Sequence, residues 1–202
     1  MRSKKFLLFA VVAAFTIATL PVAAQNPTQL TGVYAATGSA SCLISMPASP
    51  STPPFYPNLT PTPGATVYAE SLDLHALYTF KADGTGIVEG SEIALTYPPG
   101  YANASRSQFS GSFTYTVGKN GVLTLDFGTL TGIFGAGPFT GLTYTVAPYP
   151  AASGRIGQNG TLVLASAAPI VETLQFTIPL NPPLVIVVPR ICHRTRVLVP
   201  VD

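Results

Sequence analysis

Ser112-Phe113-Thr114-Tyr115-Thr116-Val117-Gly118-Lys119-Asn120-Gly121-Val122-Leu123-Thr124-Leu125-Asp126-Phe127 is the stretch that decides the fold. Apolar and polar residues alternate on both sides of an Asn-Gly corner, which is the period of a strand with one buried face. Asn tolerates turn conformations and Gly takes a positive φ without a Cβ clash, so the corner reads as a hairpin turn. The two faces fix its length. A two-residue turn would set Val117 against Thr124 and mix apolar with polar on both faces. A three-residue loop, Lys119-Asn120-Gly121, pairs Val117 with Leu123, Tyr115 with Leu125 and Phe113 with Phe127. Register follows the buried face, so the three-residue loop is expected.

The same corner recurs on either side. Asp83-Gly84 lies between Phe80 and Thr85, and Asn159-Gly160 between Ile156 and Thr161. The same rule pairs Phe80 with Gly86, Tyr78 with Val88, Ala76 with Gly90 and Ile156 with Leu162, leaving Arg155 opposite Val163. Three hairpins sharing one rule predict an antiparallel meander. Further strands are expected at Leu30–Ala36, Ser71–Phe80, Thr85–Tyr97, Thr140–Ala147, Ile170–Ile178 and Leu184–Val199, the last broken by Pro189. No window of a dozen residues carries helical periodicity. The fold class is all-β, an antiparallel meander closing as an eight-to-ten-stranded barrel, with a β-sandwich as the alternative.

Two segments interrupt the pattern. Seven prolines between Pro47 and Pro63 predict an extended surface loop. Gly132–Gly141, with four glycines, reads as a mobile inter-strand loop at the mouth of a pocket. It lacks the Lys-Ser/Thr ending and following helix of a phosphate-binding loop.

Composition narrows the rest. The 202 residues are 47% hydrophobic and 9% charged, which excludes a disordered chain and a coiled coil. Arg2, Lys4 and Lys5 precede the apolar run Phe6 to Leu20, and Val22-Ala23-Ala24 offers a cleavage site before Gln25. Residues 1–24 are therefore read as a signal peptide and 25–202 as a single exported domain, secreted or periplasmic. Its short Lys/Arg-led signal is of a bacterial kind. Loss of those three cations leaves seven Lys and Arg against eight Asp and Glu. So sparse a basic set makes no phosphate-binding stripe, and nucleic acid is not an expected partner. Asn58, Asn103 and Asn159 head N-x-Ser/Thr triplets, acceptors in a host that glycosylates.

Cys42 and Cys192 are the chain's two cysteines. In an exported protein they are expected to form one disulfide, since they are not in a C-x-x-C arrangement. No catalytic, cofactor or metal residues are expected. Asp73 and His75 share a strand face, but no nucleophile motif accompanies them, and they read as part of a solvent-facing polar row. His75 and His193 lack the spacing of a zinc site. Nothing sets Glu89 and Glu92 at a glycosidase-like separation.

Arg190, Arg194 and Arg196 share a strand face with Cys192. A Cys42–Cys192 bond would bring that face to Gly32-Val33-Tyr34, where an arginine over the Tyr34 ring would close the sheet by a cation–π contact. In these two spots the chain resembles the lipocalin-type calycin barrels, which carry a G-x-W near the first strand and a basic residue near the last. Tyr34 stands where that family has Trp. The resemblance implies an up-and-down, lipocalin-like barrel over 25–202 with an apolar cavity.

The expected function is that of a non-catalytic barrel, not an enzyme, binding a small apolar or aromatic ligand. The alternative is a structural or surface-interaction protein with a filled barrel. An outer-membrane barrel is set aside because of the continuous Leu184–Val188 run, the Val201-Asp202 terminus and the prolines. Stable membrane insertion after signal removal is not expected.

Overall fold

The computed structural model describes residues 30–98, 100, 102–157 and 159–201. The proposed signal peptide, 1–24, lies outside the described residues. Eleven strands form: β1 (Gly32–Met46), β2 (Thr66–Phe80), β3 (Thr85–Tyr97), β4 (Asn103–Val117), β5 (Val122–Phe127), β6 (Leu130–Ala136), β7 (Thr143–Ala147), β8 (Ala152–Ile156), β9 (Leu162–Ser166), β10 (Val171–Ile178) and β11 (Leu184–Pro200). No α-helix is present among the described residues.

The eleven strands are eight in architecture. β5 and β6 both pair with β4, one after the other, β8 and β7 continue outward from them, and β9 and β10 both pair with β11. Three long strands are thus each interrupted once, at 128–129, 148–151 and 167–170. Phe127 and Leu130 both turn inward, so Gly128-Thr129 inserts one extra residue, a bulge. The other two interruptions carry Pro148, Pro150 and Pro169, which cannot donate to a ladder. Neighbours are sequential throughout, and β1 pairs with β11 to close the ring.

The register shows the closure. One row of Cα partners runs Ala36, Ala76, Gly90, Phe109, Gly132, Tyr144, Phe176, Ile186. Ala36 itself pairs with Leu198. The row therefore returns to β11 at Ile186, twelve residues from Leu198, which is the stagger of tilted strands in a closed barrel. A sandwich would break the ring, and none of the eight pairings is broken.

All three hairpins have the register read from their faces: Val117 opposite Leu123, Tyr78 opposite Val88, Ile156 opposite Leu162. Each is closed by the same backbone bond, Lys81 N to Thr85 O, Gly118 N to Val122 O and Gly157 N to Thr161 O. Gly84, Gly121 and Gly160 take the positive φ the loops need. Where Thr follows the glycine, the Asx side chain accepts from its amide, Thr85 N to Asp83 Oδ1 and Thr161 N to Asn159 Oδ1. Val122 follows the middle corner instead, and there Asn120 itself adopts φ 65°.

Three sequence expectations are corrected. β11 runs unbroken through Pro189, because pairing with β1 ends at Arg190 and no N–H is needed at 189 on that side. The stretch read as a glycine-rich loop from Gly132 contains most of β6, and the connection is only 137–142. Gly132 lies within the sheet because the Tyr144 ring crosses it: a Cβ there would sit 2.3 Å from Tyr144 Cζ. β1 and β2 also extend well beyond their expected spans, to Met46 and from Thr66. The proline-rich loop is built as a folded cap, with Phe55 buried and Ser45 Oγ and Thr62 Oγ1 donating to the Pro54 and Pro53 carbonyls.

Inward residues fill the half of the barrel nearest the Asx-Gly turns with aromatic rings. Phe80 meets Tyr34, Phe113 and Tyr115 at centroid distances of 5.1–5.2 Å, and Phe113 continues to Phe127 at 5.8 Å. Leu123, Leu125, Leu162 and Leu198 are fully buried beneath them. Each such side chain contributes about 1.5–3 kcal/mol by leaving water.

Backbone contact is tightest at Gly154, where a Cβ would stand 1.8 Å from the Val163 carbonyl oxygen. Gly154→Ala is expected to cost about 1–3 kcal/mol in urea denaturation through forced backbone shift. Gly118→Ala, with its nearest atom 3.6 Å away, should change stability by less than about 0.5 kcal/mol.

Candidate functional site

Inside the half of the barrel farther from those turns, the inward face of β11 carries Arg190, Cys192, Arg194 and Arg196, all buried. Cys42 is the direct partner of Cys192 in the β1–β11 ladder, and the two form a disulfide with Cα atoms 4.1 Å apart. The barrel is thus stapled across its closing seam. The residues of β1 opposite two of the arginines are small: Ala40 faces Arg194 and Gly38 faces Arg196. A Cβ on Gly38 would sit 2.9 Å from Arg196 Cγ. The small partners leave room for two long side chains to reach across the axis.

Two carboxylates meet them. Arg190 donates from Nε to Glu172 Oε1 at 2.7 Å and from Nη1 to Glu70 Oε2 at 2.6 Å. Arg194 Nη2 also donates to Glu172 Oε1. Glu172 has no solvent exposure. Burial pushes its carboxyl up, but Arg190 and Arg194 outweigh that and hold it below the ordinary carboxylate range. Burial opposes charge on Arg190 as well, and Glu70 and Glu172 override it, so its guanidinium stays charged. Glu172 Oε2, Arg194 Nη1 and Arg196 Nε find no protein partner among the described residues.

Tyr149, in the break between β7 and β8, joins this ionic centre to the aromatic core. Arg194 stacks on its ring at 4.5 Å, Arg196 donates to its hydroxyl at 2.5 Å, and Phe127 packs edge-on at 5.1 Å. The expected cation–π partner, Tyr34, is not the one used. Tyr34 pairs with Pro200, well along β11 from Arg194, and packs against Phe80 instead. A second polar group lies beside the centre: Ser107 Oγ and Tyr144 Oη both donate to Glu92 Oε1, at 3.1 and 3.3 Å. Burial and the nearby Glu92 raise the Tyr144 hydroxyl far above its ordinary value. Burial likewise pushes Tyr78 up to about 12. Both tyrosines therefore keep their hydroxyl protons near neutral pH.

Outside, a shallow groove of about 1150 Å³ girdles seven strands. Its floor is the backbone of the Ala36-to-Phe176 row, whose side chains point inward. Its walls are the flanking outward residues, among them His75, Glu89, Gln108, Thr131, Thr145 and Gln175. His75 and Asp73 are exposed, as the polar-row reading requires. Glu89 stands on the outer wall and Glu92 faces the interior, so the sheet separates them. His193 is exposed opposite Ser41. Among the described residues no three His, Cys, Asp or Glu side chains cluster to hold a metal ion.

Sequence reasoning singled out the arginines but missed Glu70, Glu172 and Tyr149. The first two were accessible by alternation: Glu70 shares a face with Leu72 and Tyr78, and Glu172 with Leu174 and Phe176. No such signal marks Tyr149, which lies between strands. No family model matches the chain, and no curated protein or solved structure matches it.

Proposed function

We propose that this is an exported, non-catalytic barrel with a structural or surface-interaction role, making its contacts through its outer face. The observation that supports this reading is the occupied axis: aromatic rings fill one half, and Arg190, Arg194, Arg196, Glu172 and Tyr149 bridge the other. A ligand in the interior would have to displace paired buried charges, which are costly to separate. The outer groove instead offers hydroxyls and amides at the interstrand repeat of about 4.8 Å.

Crosslinking in whole cells followed by fractionation tests the role. The protein should be recovered in covalent species heavier than itself. Recovery solely as a free soluble monomer would overturn the reading. The rival, capture of a small apolar ligand within the barrel, predicts saturable binding of a fluorescent apolar probe to the delipidated protein. The filled axis predicts a linear, unsaturable signal.

A further inference from the structure

At one corner of the barrel a long stretch of strand edge is left open. Pairing between β1 and β11 stops at Ile44 opposite Arg190, yet β11 continues back to Leu184, held on its other side by β10. Val201 N donates to Val33 O, so odd-numbered residues of β11 direct their backbone groups toward β1. The β10–β11 register is regular from Leu184 to Ile191, so this parity persists to Val187 and Val185. Their N–H and C=O groups therefore point to the side that β1 has left, and among the described residues no hydrogen bond reaches them there. Both side chains are about half exposed, at 48% and 47%, and Leu184 is 46% exposed beside them.

An open edge that is apolar and uncharged is the strand most prone to pair with another chain. From Thr173 to Pro189 there is no charged residue to repel a partner or to select one of opposite charge. The segment Leu184-Val185-Ile186-Val187-Val188 is also close to symmetric about Ile186. Two copies laid antiparallel about a two-fold axis at Ile186 set Val185 against Val187 and Leu184 against Val188. Each Val185–Val187 pair exchanges two backbone bonds. Pro183 and Pro189 fall just outside the paired stretch, where their missing N–H groups end the ladder. Self-complementarity of this kind favours a second copy over an unrelated strand, and an isologous contact closes as a dimer.

We propose that Leu184–Val188 is a dimerisation edge on which two copies of this chain join by antiparallel β-pairing centred on Ile186. This names one partner for the surface-contact reading above, and it is tested on purified protein, so the two can fail separately.

Sedimentation velocity over a concentration series should show a monomer–dimer equilibrium. Val187→Pro removes an N–H that β10 does not use, and should weaken the dimer at least about tenfold while leaving the melting temperature of the dilute, monomeric protein unchanged. Ile186→Cys places the two thiols on the axis at a narrow, non-hydrogen-bonded pair, within disulfide reach, and should crosslink on oxidation. Val185→Cys puts them diagonally apart and should crosslink poorly. A wild-type protein that stays monomeric at every concentration overturns the proposal. So does a dimer that tolerates Val187→Pro and crosslinks no better through position 186 than 185. A monomer that still crosslinks to other components in cells discards the edge and keeps the surface-contact reading.

Discussion

Glu172→Gln is expected to lower the unfolding free energy by about 3–5 kcal/mol in urea denaturation, because it strips a buried charge from two arginines that are themselves buried. Glu172 accepts from both Arg190 and Arg194, and its side chain has no exposure. The loss is the cost of stranding cations, not the worth of the pair. Replacing Glu172, Arg190 and Arg194 together by apolar residues of similar volume should therefore recover most of the stability. Acid gives the same result by another route. The folded-state carboxyl lies below its ordinary value of 4.5. Its contribution is therefore complete above that value and is lost as pH falls through the lower, folded-state pKa. Wild-type stability should decline below about pH 4.5 more steeply than that of Glu172→Gln, which has no proton to take up at this position.

Removal of the seam disulfide by Cys42→Ala with Cys192→Ala should cost about 5 kcal/mol in the chain-entropy account, the largest single effect expected. The bond spans 150 residues of sequence, so its absence frees nearly the whole domain in the unfolded state. Cys42 and Cys192 are already neighbours in the β1–β11 ladder, and the native register needs no disulfide to hold it. The double variant should fold to the same barrel, with a larger denaturant slope because its unfolded chain is more expanded. A variant equal in stability to the wild type would show that the seam is held by the ladder and the arginine cluster alone.

The fold was legible wherever apolar residues alternate against a turn signal. The Phe113–Phe127 hairpin needed no more than its two faces and Asn120-Gly121, and the register found there carried to its two neighbours. Legibility failed where the inward residue is small because its partner is large. β1 beyond Ala36 reads Thr37-Gly38-Ser39-Ala40-Ser41, with no apolar alternation, yet Gly38 and Ala40 lie inside precisely because Arg196 and Arg194 cross above them. Gly132 under Tyr144 is the same case. Pro189 misled for a different reason: a proline ends a strand only where its own N–H would be needed in the ladder, and pairing with β1 had already ended at Arg190. The buried charges were legible in position but not in partnership. Alternation places Glu172 inside, whereas the choice of Arg190 and Arg194 as its partners depends on the closure of the ring, which no local pattern reports.

The central claim is that the barrel is shut and its axis occupied by its own side chains. Methyl NMR under xenon pressure tests it most directly, since xenon enters any apolar void within reach. Methyl resonances of Leu123, Leu125, Leu162, Leu164 and Leu198, the fully buried leucines of the core, should show no saturable shift as pressure rises. A saturable shift at several of these leucines would reveal an interior cavity and contradict the account.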